Sequence, residues 1–180
     1  MRYCSNCGRE VDRKVPAGDT LPRFVCESCG TVHYQNPKMV VGTLPVFENR
    51  ILLARRAIEP RRGLWTLPAG FMENNETTGE AALRETREEV GAEVELGMLF
   101  SLVNIAHISQ VHMFYLARMS SEAFAPGVES LEARLFAEED LPWNEMAFRS
   151  STLTLRHFLD DRRARQFRVH LEDLAAGSRH

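Results

Sequence analysis

Residues 70–92 read GFMENNETTGEAALRETREEVGA, and the rest of the chain is best understood outward from them. Glu85, Glu88 and Glu89 stand at spacings of three and four. On a helix of about 3.6 residues per turn they share one face. Like charges on neighbouring turns repel by a few tenths of a kcal/mol per exposed pair, so the arrangement gains nothing structurally. It makes sense around a divalent cation, because hard cations take oxygen ligands. Thr77 and Glu80 form the pattern of a capping box. Ala81, Ala82 and Leu83 are good helix formers. Leu83, Thr86 and Val90 fall roughly opposite the glutamates, with Leu83 and Val90 expected to anchor that face to a core. Gly91 suits a left-handed stop. The expectation is a helix pinned on one side and acidic on the other.

All four cysteines lie near the N-terminus, as Cys4-x-x-Cys7 and Cys26-x-x-Cys29 with 18 residues between the pairs. That spacing is the zinc-ribbon arrangement. Gly8 and Gly30 follow the knuckles directly and allow the turns that aim backbone N–H groups at sulfur. Four sulfur ligands leave Zn²⁺ no open position, so its expected role is structural, and His33 is not needed as a ligand. A segment this short, with few large apolar side chains, cannot hold itself by burial alone. Bound zinc would supply its folding energy. The basic residues Arg2, Arg9, Arg13, Lys14 and Arg23 are offset by Glu10, Asp12, Asp19 and Glu27, so the ribbon shows no net basic patch.

The 180 residues carry a net charge of −3, which argues against nucleic acid as a main partner. It does not argue against a phosphorylated small molecule, since a bound cation can supply local positive charge. No apolar run approaches the roughly 20 residues needed to cross a bilayer. The first residues, MRYCSNCGRE, lack a signal-peptide core, and a cytoplasmic protein is expected. The ribbon is expected over residues 1–35 and a second domain over 36–180, with Asn36-Pro37 as the hinge. Strands are expected at Lys38–Phe47, Ile51–Arg56, Trp65–Gly70, Val94–Ile105, Val111–Arg118 and Glu132–Phe136. An amphipathic helix is expected at Leu153–Arg163, with Leu155, Phe158 and Leu159 at helical spacing, and the last fifteen or so residues carry no clear signal. Mixed strands with two packing helices give an α+β or α/β layered domain.

The fixed positions Gly70, Glu76, Arg84, Glu85, Glu88, Glu89 and Gly91 resemble the Nudix box, GX5EX7REUXEEXGU, where U is a bulky aliphatic residue. Thr86 and Ala92 stand where larger apolar residues are usual, and Asn75 stands where many members have Gly. The resemblance implies an α/β/α sandwich with a mixed sheet, and hydrolysis of the pyrophosphate in a nucleoside diphosphate linked to another moiety. It implies Mg²⁺ or Mn²⁺ held by Glu85, Glu88, Glu89 and the Gly70 carbonyl. Arg84 would orient a carboxylate, and Glu76 would pair with Arg84 or hold the loop. A general base is expected from Glu129 or Glu132. Arg55 or Arg56 would reach a substrate phosphate. Trp65 and Phe71 are ring-stacking candidates, each also readable as packing.

Two Nudix subgroups carry a zinc ribbon. The NADH pyrophosphatases have a run resembling SQPWPFPxS after the box, whereas here the equivalent stretch is MLFSLVNIAHISQVHMFYLAR. The stretches YQNPKMVVG, GLWTLPAGFME, RETREEVGA, FAPGVESLEARLF and LPWNEMAF are similar to the FAD and ADP-ribose pyrophosphatase type over nearly the whole chain. FAD or ADP-ribose is therefore the expected substrate, with AMP as one product. NADH or NAD-capped RNA is the alternative. A Nudix-fold regulator that binds nucleic acid through the ribbon is a reading from another class, disfavoured by the intact glutamates. A homodimer, as in many relatives, is expected rather than read from the residues.

Overall fold

The computed structural model describes residues 1–176, which form two compact units, one spanning Met1–Pro37 and one beginning at Lys38. In the first, β1 (Asp12–Lys14), β2 (Arg23–Val25) and β3 (Val32–His33) make an antiparallel meander. Its buried apolar residues are Cys4, Val25 and Cys26, too few to hold a fold by burial.

The second unit is built on β4 (Lys38–Phe47), β5 (Arg50–Arg56), β6 (Trp65–Thr66), β7 (Ala69–Phe71), β8 (Val94–Ile105), β9 (Gln110–Met119), β10 (Ser130–Phe136) and β11 (His170–Asp173). The main path runs β10-β5-β4-β9-β8-β11, with β4–β9 and β8–β11 parallel. Helices α1 (Thr78–Val90) and α2 (Arg149–Ala164) cover opposite faces. Alternation along β5 shows the layering: Leu52 and Ala54 cluster with Val90 of α1, whereas Ile51 and Leu53 cluster with Leu155, Phe158 and Leu159 of α2. Mixed sheet and flanking helices are the expected sandwich.

The sheet forks at β4. Val40–Gly42 pair with β7, while Val46 and Phe47 pair with β5. The single strand expected at Trp65–Gly70 is therefore two, because β6 joins β5 and β7 joins β4. Pro68 sits at the crossing, where it has no N–H to offer and its carbonyl accepts from Thr43 N at 3.1 Å.

Helix α1 starts as expected. The Thr77 side chain accepts from Glu80 N, and the Glu80 carboxylate accepts from Thr77 N. Asn75 turns the preceding loop at φ 67°, and Gly91 closes the helix in the left-handed region. The buried face differs from expectation. Leu83 is only half-buried, and Ala81, Ala82, Thr86 and Val90 meet the sheet. Small alanines let the helix come close. Glu85 and Glu89 turn inward as well, so only Glu88 of the three carboxylates faces outward. Thr86, small for its position, is matched across the interface: its hydroxyl donates to Ala82 O at 2.7 Å and pairs with Thr43 Oγ1 at 2.6 Å.

Helix α2 begins four residues before the spacing predicted. Its first buried residues are polar: Ser150 bonds His112, Ser151 bonds Thr66 and Thr154 bonds Ser101. A hydropathy pattern does not register such pairs. Strand β11 was likewise invisible, because His170-Leu171-Glu172-Asp173 alternates no apolar residues.

Candidate active site

The fork positions the carboxylates. Glu89 reaches from α1 to the strand crossing, where its Oε2 accepts from Ala69 N at 3.0 Å. The Glu85 carboxyl lies on the backbone of Gly70, where an added Cβ would fall 2.3 Å from it. Arg84 ties the loop to the helix. Its guanidinium grips Glu76 at 3.0 and 2.7 Å, Glu85 at 2.7 Å, Glu88 at 3.1 Å and the Phe71 carbonyl at 3.2 Å. Glu76 also accepts from Glu73 N at 2.6 Å. It is thus a loop brace, held down at about 2 by Arg84.

Burial pushes the Glu85 carboxyl above the usual carboxylate range, against the pull of Arg84. Burial also pushes Glu89 up to about 8, and the nearby Glu85 adds to the rise. This is an excess of negative charge, partly desolvated, around an oxygen-rich hollow. Its donor set fits a hard divalent cation. Glu129 adds to the excess, raising both Glu85 and Glu89 through space.

Glu129 comes to the site through the loop before β10. Ala125 N donates to Val90 O and Gly127 N to Glu89 O, each at 2.9 Å, at the end of α1. Gly127 lies so close that a Cβ there would fall 1.7 Å from the Glu88 carbonyl oxygen. A cavity of about 1070 Å³ opens beside the fork, lined by Gly70, Phe71, Arg84, Glu85, Glu88, Glu89, Arg56 and Glu129 among others.

Not every candidate reaches this cavity. Glu132 lies on β10 opposite Arg55, 3.7 Å from its guanidinium, and also pairs with Arg134. Arg55 donates to Gly63 O and lies over Trp65. Trp65 is itself a core residue, edge-on to Phe136 at 4.9 Å. Strand register accounts for all three, because β10, β5 and β6 line up Glu132, Arg55 and Trp65 side by side, outside the cavity lining. Arg56 does line it, braced by a bond to Pro60 O and stacked on Phe148. Phe71 lines it half-exposed, with Lys38 over its ring. Another part of the lining went unread in the sequence. Ile105, Gln110, His112, Phe148, Ser150 and Leu174 reach it from β8, β9, α2 and the segments just before α2 and just after β11. The one available signal was a histidine inside the apolar strand VHMFYLA.

In the first unit the four cysteine sulfurs all lie within 4.8 Å of one another. Cys4–Cys29 are 3.7 Å apart and Cys7–Cys26 3.5 Å. Tetrahedral Zn–S bonds of about 2.3 Å imply sulfur separations of about 3.8 Å, so the cluster fits zinc. His33 Nε2 lies 3.3 Å from Cys4 Sγ and Asn6 N 3.4 Å, both placed around the sulfur ligand set rather than in it.

A carboxylate-lined fork on an α/β/α sandwich, beside a large cleft, has the donor chemistry of a site for hard divalent cations. Residues 36–156 match the NUDIX domain and residues 2–35 the Nudix N-terminal zinc ribbon: the chain belongs to the Nudix hydrolase family. The crystal structure of a NUDIX hydrolase from Nitrosomonas europaea is 50% identical, with a TM-score of 0.94 over 97% of this chain and 99% of that one. The NAD-capped RNA hydrolase NudC of Photobacterium profundum is 31% identical over 136 residues, covering 76% of this chain and 49% of that protein. The mitochondrial NAD(P)H pyrophosphatase NUDT13 of Mus musculus is 38% identical over 94 residues, 52% of this chain and 25% of that protein. The chain thus spans half or less of the length of these two curated relatives. Among the described residues no helix is long and apolar enough to cross a membrane.

Proposed function

We propose that this Nudix hydrolase cleaves the pyrophosphate of a nucleoside diphosphate linked to another moiety, with FAD or ADP-ribose as substrate and AMP as one product. The observation that carries the reading is the cluster of Glu85, Glu88, Glu89 and Glu129 at one end of a cleft large enough for a dinucleotide. Glu85, Glu88, Glu89 and the Gly70 carbonyl would hold Mg²⁺ or Mn²⁺. A cation held there would supply positive charge against the pyrophosphate and would lower the pKa of a water. Arg84 fixes the carboxylates in place, Arg56 faces a phosphate, and Glu129 accepts the proton of the attacking water. Four cysteines hold Zn²⁺ as a fold element of the ribbon.

The FAD and ADP-ribose preference rests on the whole-chain resemblance, including the FAPGVES segment that delivers Glu129, and on the absence of the SQPWPFPxS run. The names of the curated relatives favour a second reading, NAD(H) or NAD-capped RNA. A panel of FAD, ADP-ribose, NADH, NAD and NAD-capped RNA with Mg²⁺ or Mn²⁺, products identified by mass, separates them. FMN plus AMP from FAD, or ribose 5-phosphate plus AMP from ADP-ribose, supports the first. Turnover confined to nicotinamide substrates replaces it with the second, and no turnover of any of them removes both. Chelation of zinc is expected to unfold residues 1–37 while residues 38–176 keep their circular dichroism. Loss of structure in both units would contradict a role limited to the ribbon.

A further inference from the structure

The cavity lining contains a hydrogen-bonded chain that the hydrolysis itself does not use. In the strand register His112 lies beside Val40 on one side and Val103 on the other, at the cavity floor. Ile105, Phe114, Phe148 and Leu174 add apolar side chains to the same lining. Ser150 is buried on α2, and His112 Nδ1, 2.9 Å away, is the one partner its hydroxyl has among the described residues. A buried hydroxyl donates its only proton where it can, so Nδ1 accepts. Burial pushes His112 down to about 4, so the ring is neutral and carries its remaining proton on Nε2. That nitrogen donates to Gln110 Oε1 at 2.9 Å. The Gln110 carboxamide is thereby oriented. Its oxygen is engaged, and its nitrogen, with two N–H groups, has no hydrogen-bond partner among the described residues, on a side chain that lines the cavity.

We propose that Gln110 determines specificity, its carboxamide N–H donating to an in-plane acceptor of the substrate's heteroaromatic ring, with Ser150 and His112 as positioning residues that hold the amide in that orientation. The walls bury the ring faces, and the one polar donor reads its edge, the usual division of labour in a small-molecule site. The inference rests on the reading of the substrate as FAD or ADP-ribose. The acceptor can belong to adenine, through a ring nitrogen, or to a flavin, through a ring nitrogen or carbonyl.

The test uses full-length protein and product halves as probes, so that it reads out even if the hydrolysis panel fails. Calorimetric titration of AMP and of FMN, without divalent metal, is compared for wild type, Gln110→Glu and Gln110→Leu. Loss of one donor is expected to weaken the recognised half about tenfold. Weakening of AMP alone assigns the acceptor to adenine, and weakening of FMN alone assigns it to the flavin. Steady-state kinetics should show KM raised by a similar factor, with kcat changed far less. Ser150→Ala should raise KM severalfold in the wild-type background and have no further effect on Gln110→Leu. A merely structural role would not give that non-additivity. Wild-type affinity for both halves in both Gln110 variants, or no binding of either half by the wild type, overturns the proposal.

Discussion

The two helices of the hydrolase unit both turn polar side chains toward the sheet, yet with opposite consequences. On α2, Ser150, Ser151 and Thr154 each meet a polar partner on the sheet, His112, Thr66 and Ser101. On α1, Glu85 and Glu89 meet backbone, one arginine and each other's charge, and both are pushed toward protonation. Buried polar groups that are neutral and paired serve as structure. Buried charges left in excess cost stability unless something else compensates them. In this molecule that difference separates a helix whose buried polar groups are satisfied from one that carries uncompensated charge.

The contrast is open to attack, starting with the largest expected effect. Glu89→Gln should lower kcat on the order of 10³-fold, or about 4 kcal/mol of transition-state stabilisation, while raising stability in metal-free buffer. The sign follows from the raised pKa. The Glu89 contribution is fully present below about 4.5 and is lost as pH rises through about 8. At pH 7 the relief is on the order of 3 kcal/mol, and saturating Mg²⁺ should shrink it. A metal-free denaturant titration in which the variant is no more stable than wild type at pH 8 would remove the excess-charge account. Leu155→Ala, on the buried face of α2, should do the reverse. A loss of about 2–5 kcal/mol is expected by chemical denaturation, with kcat per folded molecule close to wild type. The Thr43–Thr86 pair tests whether α1 also holds a purely structural polar contact. Thr86→Val strands the Thr43 hydroxyl and should cost about 1–3 kcal/mol. The double variant Thr43→Val with Thr86→Val should recover most of that loss, and a simple sum of the two single losses would argue against the pairing.

Helix α1 was legible because its signals are local. The Thr77–Glu80 box, the turn at Asn75 and the stop at Gly91 each depend on neighbours within a few residues. Its orientation was not, since the inward turn of Glu85 and Glu89 depends on a gap in a sheet assembled from β4, β5, β6 and β7. Spacing therefore identified the carboxylates and misplaced the face that anchors the helix. Glu129 and Glu132 show the same limit. Three residues apart in sequence, they are separated by the start of β10, whose register sends Glu132 to Arg55 and leaves Glu129 in the loop at the cavity. Arg55 and Arg56 divide in the same way, by strand alternation that a lone sequence does not phase. The rest of the lining was hidden for a different reason. Gln110 and His112, neighbours on one face of β9, meet Phe148, Ser150 and Leu174 through tertiary packing that no spacing in the sequence registers.

The bonds from Ala125 and Gly127 to the last carbonyls of α1 act as a gauge block. They satisfy helix-end acceptors that would otherwise be open, and in doing so they set the distance between Glu129 and the carboxylates of the helix. Glu129 and the glutamates of α1 thus share one rigid datum instead of two independently moving loops. A methyl group at position 127 would enter the space of the Glu88 carbonyl oxygen and reset that distance without touching any reacting group. Gly127→Ala is then a way to detune turnover by shifting the loop and the end of α1 against each other while every side chain of the site is kept, and the tolerance of the reaction to misalignment becomes a measurable length.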